Sequence, residues 1–296
     1  MFRPQTTPGT LFGCGVVFVS TVLGAVLLLK GLSMETGIGQ LAPLVASVMF
    51  VALGCLFGYW TWGCRALSYT IDRNALTVRW GSMKQVIPLA NIEKLIPGRD
   101  SDEAPQIEGV SWVGHHVGRS DVVGFGSVLF YSTHRSLGEV LYVVTAEEIY
   151  AISVPDNIEF AQTVQANQAR GPLFEPRMAV RRGGVAAQSF WVDPNARLLA
   201  VVLLGAFVVV LGYVLQMYPG LDQSVPLRFP SFGGIVRISD KSELLDLPRS
   251  AAGFLALNLV LAVLLHSWDR MVGYVLLLAG ISMQAMLLVA AIVAVA

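Results

Sequence analysis

The sequence predicts a mixed membrane protein: about five transmembrane α-helices, and one water-compatible block folded as a small β-barrel capped by a helix. Three observations predict it. Five long runs are almost free of charge. The block between the second and third runs alternates apolar and polar residues with a period of two, and near its end that period gives way to helical spacing. Of 296 residues, 54% are apolar and only 14% are charged, against about a quarter in soluble domains.

The apolar runs cover 11–29, 44–62, 198–218, 248–265 and 271–296, and their only Asp, Glu, Lys or Arg is Arg249. A hydrocarbon core about 30 Å thick takes roughly 20 helical residues at about 1.5 Å each. One such helix fits inside a soluble core; five do not. The first run is longer than the about 7–15 apolar residues of a signal peptide, and only Lys30 and a short polar stretch part it from the second. These two read as a helical hairpin. The chain divides into that hairpin (1–64), the central block (65–171), a linker (172–197), and a three-helix region (198–296) with an outer loop at 219–247. Cys14, Cys55 and Cys64 lie within or beside the runs without metal-ligand spacing, where cysteines behave as small hydrophobes.

Arg65 and Arg73 follow the second run, and Arg177, Arg181, Arg182 and Arg197 lead into the third. The positive-inside rule therefore puts the central block and the N-terminus in the cytoplasm and the C-terminus outside, at the cell membrane. Arg228, Arg237 and Lys241 in the outer loop pull the other way.

In the central block Leu67, Tyr69 and Ile71 alternate with Ser68, Thr70 and Asp72, and Leu76, Val78 and Trp80 alternate with Thr77 and Arg79. Asp72-Arg73-Asn74 between them makes a β-hairpin. Gly81-Ser82 turns the chain into a strand at 84–89, and 92–96 gives a fourth. Residues 97–126, rich in Gly, Asp and Ser, read as a long excursion holding at most one short strand. Strand patterns return at 128–131, 140–145 and 149–154. Pro155-Asp156-Asn157 then stops the last strand and offers a helix N-cap, with Glu159 in the first turn where the macrodipole favours it. Phe160, Ala161 and Val164 share one face before Gly171-Pro172 ends the helix.

Tyr69-Thr70-Ile71, the Ile87-Pro88-Leu89 to Ile92 segment, and Tyr150-Ala151-Ile152-Ser153-Val154-Pro155-Asp156 leading to Phe160 resemble the bacterial pleckstrin-homology-like (PH-like) family of membrane proteins. The resemblance covers about 66–169 and implies a PH-like β-barrel with its closing helix. A second stretch, Tyr218-Pro219, Val225-Pro226-Leu227 to Phe229, Gly234 to Arg237 and Lys241-Ser242-Glu243-Leu244-Leu245, looks like a short domain of unknown function also found in SdpI-like immunity and signalling proteins. Family members often carry His-Phe-Asn where this chain has Arg228-Phe229-Pro230, so no role of that His or Asn carries over.

Catalysis needs a nucleophile, a base and an orienting group within mutual reach, and the sequence offers no such set. His115 and His116 are adjacent in an extended segment and point to opposite sides, with no His-Glu-x-x-His or Cys-x-x-Cys run beside them. His134 neighbours Arg135 in a turn. Gly124-Phe125-Gly126-Ser127 falls short of Gly-x-Ser-x-Gly. No enzyme activity, cofactor or metal is expected. With 20 basic and 20 acidic residues, no global field draws in nucleic acid.

The candidate ligand face is carried by Arg73, Arg79 and Lys84. Inositol-lipid recognition is not expected, because it needs several cations converging on the loop between the first two strands. Asp72-Arg73-Asn74 is tight and nearly neutral. A protein or peptide laid along a strand edge fits better. Arg228, Arg237 and Lys241 are candidates in the outer loop. Gly54 and Gly58 have the small-xxx-small spacing that admits a second helix. Asn258 and Gln284 are polar residues in the middle of the last two spans, roughly 9 Å apart in depth, so each needs its own partner. The expected function is a non-enzymatic scaffold, bathed by the lipid bilayer, that presents the PH-like domain for binding or sensing in the bacterial envelope. The alternative is a transporter or immunity-type protein whose helix bundle does the work.

Overall fold

Uninterrupted apolar sequence makes long helices at both ends of the chain. Helices α1 (Thr7–Ser33) and α2 (Leu41–Arg65) open it, α3 (Asn157–Ala169) is short and central, and α4 (Pro194–Met217), α5 (Asp246–His266) and α6 (Arg270–Val295) close it. All but α3 are long and apolar enough to cross a membrane, by length and composition. They carry large apolar side chains on their outer surfaces, among them Phe18, Val48, Val201 and Met286, each more than 60% exposed. The computed structural model describes residues 1–98, 105–134, 137–174, 178–183, 188–227 and 237–295, with 137, 181, 182, 225–227 and 237–239 described by backbone alone. The chain forms two compact units, Met1–Val22 with Phe50–Ala186 and Leu23–Met49 with Ala187–Ala296, and the division passes through the middle of α1 and α2.

The first unit holds strands β1 (Ser68–Ile71), β2 (Ala75–Trp80), β3 (Met83–Pro88), β4 (Ile92–Pro97), β5 (Glu108–Trp112), β6 (His115–Val122), β7 (Gly126–Ser132), β8 (Leu141–Thr145), β9 (Ile149–Ile152) and β10 (Ala179–Arg182). They form two sheets, ordered β1-β2-β3-β10 and β4-β8-β9-β7-β6-β5. The expected barrel is therefore not closed. At Pro88, which has no N–H to donate, the chain enters a 3-10 turn at Leu89–Asn91 and leaves the first sheet. The edge of β3 is taken instead by β10, antiparallel, from a stretch the sequence placed in the linker. The edge of β1 is taken by Phe2, which exchanges two backbone hydrogen bonds with Tyr69.

Between the sheets lies the main core. Tyr69, Leu76, Val78, Trp80 and Ile87 meet Tyr131, Leu141, Val143, Tyr150 and Ile152, and Phe160 and Val164 of α3 close the end. Val122, Val128, Phe130, Tyr142 and Ala151 of the six-stranded sheet, with Val140 beside it, fill a second cluster on its other face, so its central strands β7, β8 and β9 are buried on both sides. Buried hydrogen bonds stitch the two sheets together. Tyr69 donates to the Tyr131 carbonyl at 2.6 Å and accepts from Ser153 N, while Gln85 donates to the Tyr150 hydroxyl at 2.9 Å. Desolvation raises the pKa of both phenols well above the usual tyrosine range. Helix α3 starts where expected, with Asp156 accepting from Ile158 N and Glu159 N.

In the second unit α4, α5 and α6 pack through Phe190, Ala196, Ala200, Leu203, Ala262 and Leu277. The loop at 219–247 includes a short hairpin, β11 (Ser224–Leu227) with β12 (Arg237–Asp240). Leu221 and Leu244 near it pack with Val214, Ala291 and Ala294 on α4 and α6.

Candidate functional site

Register decides where the cations of the four-stranded sheet stand. The turn at Gly81-Ser82, with Gly81 at φ +55°, pairs Trp80 with Met83 and hence Arg79 with Lys84. The next strand sets Arg181 opposite Lys84, and on the other side Ser68 faces Arg79. Directly opposed residues share a sheet face, so positions 79, 84 and 181 form one basic row on the face turned away from the core. Arg79 and Lys84 are exposed, and among the described residues neither is in an ion pair. Arg73 does not join them. Its guanidinium donates to the carbonyls of Gly171 and Arg170 at the end of α3, both at 2.9 Å, while Asn74 Oδ1 accepts from Leu173 N and Phe174 N. The β1–β2 turn is thus a clamp on the end of α3.

Two hairpin tips root the domain on the helices of its own unit. At the β2–β3 tip, Ser82 Oγ lies 3.1 Å from the Tyr59 hydroxyl of α2, and Trp80 covers Gly63 so closely that a Cβ there would sit 2.7 Å from the indole. At the β5–β6 tip, Trp112 donates from Nε1 to the Gly9 carbonyl of α1 at 3.0 Å and packs on Phe12, Phe57 and Trp60.

His115 lies between these tips. Trp80 Nε1 donates to its Nε2 at 3.1 Å, and the Trp112 ring is 4.7 Å away. Because an indole N–H only donates, the neutral His115 ring carries its proton on Nδ1. Burial, and secondarily the charge of His116, push its pKa down to about 4. This imidazole is part of a seam between aromatic side chains. His116 Nδ1 instead faces Ser111 Oγ at 2.8 Å. Among the described residues no three His, Cys, Asp or Glu side chains gather as a metal-holding group.

Residues 67–168 match the bacterial PH domain family. The match takes in β1 through nearly all of α3 and leaves the apolar helices outside it. No curated protein and no solved structure matches the chain. The PH-like domain therefore carries its basic row partly on β10, a strand beyond the matched residues.

The other sequence candidates are dispersed. Gly54 and Gly58 face α1, where a Cβ would make ordinary contacts at 3.6 Å to Ser20 and 4.0 Å to Val17. The close approach is at Gly13, where a Cβ would sit 2.1 Å from Thr61 Oγ1. Asn258 donates to the Phe254 carbonyl of its own helix, and buried Gln284 donates to the Ala251 carbonyl of α5 at 2.8 Å. Lys241 reaches the Leu221 carbonyl and lies over the Tyr218 ring. Arg237 pairs with Leu227 in the backbone ladder, and Arg228 lies outside the described residues.

Sequence reasoning passed over a polar cluster in the second unit. Asp193 caps α4 through Asn195 N and Ala196 N, accepts from Tyr274, and lies 3.3 Å from Nε2 of fully buried His266. Hydrogen bonding, first from Tyr274, holds the Asp193 carboxyl below its usual range. A cleft of ≈ 520 Å³ opens beside it, lined by Asn195, Arg270 and Tyr274 among others. Asp193-Pro194, a capping residue followed by proline at the first helical position, is the sequence signal that marks it.

Proposed function

We propose that the protein is a non-enzymatic scaffold held in the membrane by five helices, with the PH-like domain and the N-terminus in the cytoplasm and the C-terminus outside. The domain binds an anionic ligand through the outer face of its four-stranded sheet. The observation that carries this reading is the basic row at 79, 84 and 181, set side by side by strand register, with neither Arg79 nor Lys84 in an ion pair among the described residues. Like charges directly opposed destabilise a sheet, and an anionic ligand turns that cost into affinity. A protein or peptide partner on this face would carry acidic side chains. His115 supports a packing role rather than chemistry, because its Nε2 is occupied by an indole donor.

The cleft beside Asp193 gives the alternative, a working helix bundle, little support. A transport path would reach the mid-span residues Asn258 or Gln284, and neither lines that cleft.

A labelled oligoglutamate probe added to the full-length protein in mild detergent tests the binding face. Saturable binding that weakens with salt, and falls about tenfold in an Arg79→Glu/Lys84→Glu variant, is expected. Equal binding by both proteins would remove the basic row from the function.

A further inference from the structure

Helix α5 carries a polar group deep in its apolar stretch that its own bundle leaves unsatisfied. Asn258 stands nine residues after Arg249 and eight before His266. It is therefore about 12 to 14 Å from each, near the middle of a hydrocarbon core about 30 Å thick. Its stem rests on α6, where a Cβ on Gly280 would lie 3.2 Å from the Asn258 Cβ. Its amide nitrogen donates to the Phe254 carbonyl of its own helix, and among the described residues no other helix supplies a partner for its second N–H or its Oδ1. Gln284, by contrast, bonds across to Ala251, as polar side chains at such depth do. Beside Asn258, the residues Phe254, Leu257, Leu261 and Leu264 recur at intervals of three, four and three, the spacing of a coiled-coil seam. Phe254, Leu257 and Leu264 are exposed and Leu261 is half-buried, so the other described residues leave this stripe uncovered.

We propose that α5 pairs through this stripe with α5 of a second copy of the chain, side by side in the membrane. This rests on the membrane-spanning reading above and adds a partner to it. Two copies enter a bilayer the same way up, so identical seams meet in register, and a two-fold axis along the membrane normal closes the pair. With Leu257 as a core position, Asn258 takes the flanking e position and Gly253 the g position, and e and g of opposite helices face each other in a parallel pair. Asn258 of each copy then lies against Gly253 of the other. Gly253 is exposed, and a Cβ there would meet nothing within 4 Å in a single copy. That bare backbone brings a main-chain carbonyl within reach of the second amide hydrogen. It also offers Oδ1 the glycine Cα–H groups, weak donors that recur at helix–helix interfaces. A larger side chain would bar both. The contact occurs twice, once on each side of the seam. Any other partner would need a matching seam and a small residue at the same depth, which a second copy supplies by identity.

The test uses the full-length protein, labelled with donor or acceptor dye, in phosphatidylcholine vesicles over a series of protein-to-lipid ratios. Energy transfer should follow a monomer–dimer curve. Asn258→Leu and Gly253→Leu should each weaken association about tenfold. Val201→Leu, on the outer surface of α4, should leave it unchanged. Circular dichroism and thermal melting establish that each variant is folded. Because Gly253 has open space around it in a single copy, Gly253→Leu loses pairing without loss of fold, and it keeps the test decisive if Asn258→Leu misfolds. Wild-type protein that stays monomeric at every ratio, or variants that pair as tightly as wild type, would overturn the proposal. Release of the protein from the vesicles by alkaline carbonate would remove the membrane-spanning reading and this pairing with it. Retention in the vesicles as a monomer would remove the pairing alone.

Discussion

His115 is buried against the indoles of Trp80 and Trp112 and accepts a hydrogen bond from Trp80 Nε1. Its folded pKa of about 4 lies below the ordinary histidine value of about 6.5. For a group lowered in this way, the unfolded chain takes up the proton first. Stability is therefore complete above about pH 6.5, falls as the pH drops through the window down to about 4, and levels off below it, a loss of at most ~3 kcal/mol. Chemical denaturation of the full-length protein in detergent at a series of pH values should show that slope, and His115→Gln should flatten it. A slope that survives the substitution would assign the acid sensitivity to another group. His115 also shows how a tempting motif misleads. The adjacent histidines stood out in the sequence because histidine is rare here, but the indole that occupies Nε2 comes from a strand 35 residues away.

At the scale of elements, some signals were plain and others absent. Strands β1 and β2 were legible because Tyr69, Ile71, Leu76, Val78 and Trp80 alternate with polar residues, a period of two, and β3 because the Gly81-Ser82 turn leads into it. Strands β5 and β6 disappeared into the predicted excursion. Their ladder pairs Gly109 with Gly118, at φ +152° and +158°, and glycines without side chains leave no alternation to read. A Cβ at either would sit within 2.4 Å of the partner strand's carbonyl oxygen. Strand β10 was hidden because half of its four residues are arginines. The pairing of Arg79 with Lys84 was in reach, since a two-residue turn at Gly81-Ser82 fixes it, while the third member of the row needed β10. Helix packing inverts the glycine expectation. Gly13→Ala forces a methyl into Thr61, whose hydroxyl is committed to the Phe57 carbonyl at 2.7 Å. It should cost about 1–3 kcal/mol of stability. Gly54→Ala meets only ordinary contacts and should be near neutral. Thermal melting of the two variants in detergent separates these outcomes, and an equal loss for both would place the tight crossing elsewhere.

For the whole molecule, the sequence conveyed the division of labour between apolar helices and a sheet-rich block, because composition alone separates them. It did not convey that the block's compact unit also contains Met1–Val22 and the second half of α2. Phe2 extends β1 and packs its ring edge-on to Phe160 of α3, Gly9 receives Trp112, and Gly63 lies under Trp80. A fragment cut at Ala66 would therefore be an amputated half. It would retain its ladders but expose two raw tryptophans and an unguarded strand edge, and self-association on gel filtration is the expected behaviour. Supplying residues 1–22 and 50–64 should return it to a single species. The practical unit of inheritance for this domain is thus wider than its strands, because its roots are buried in its own anchor.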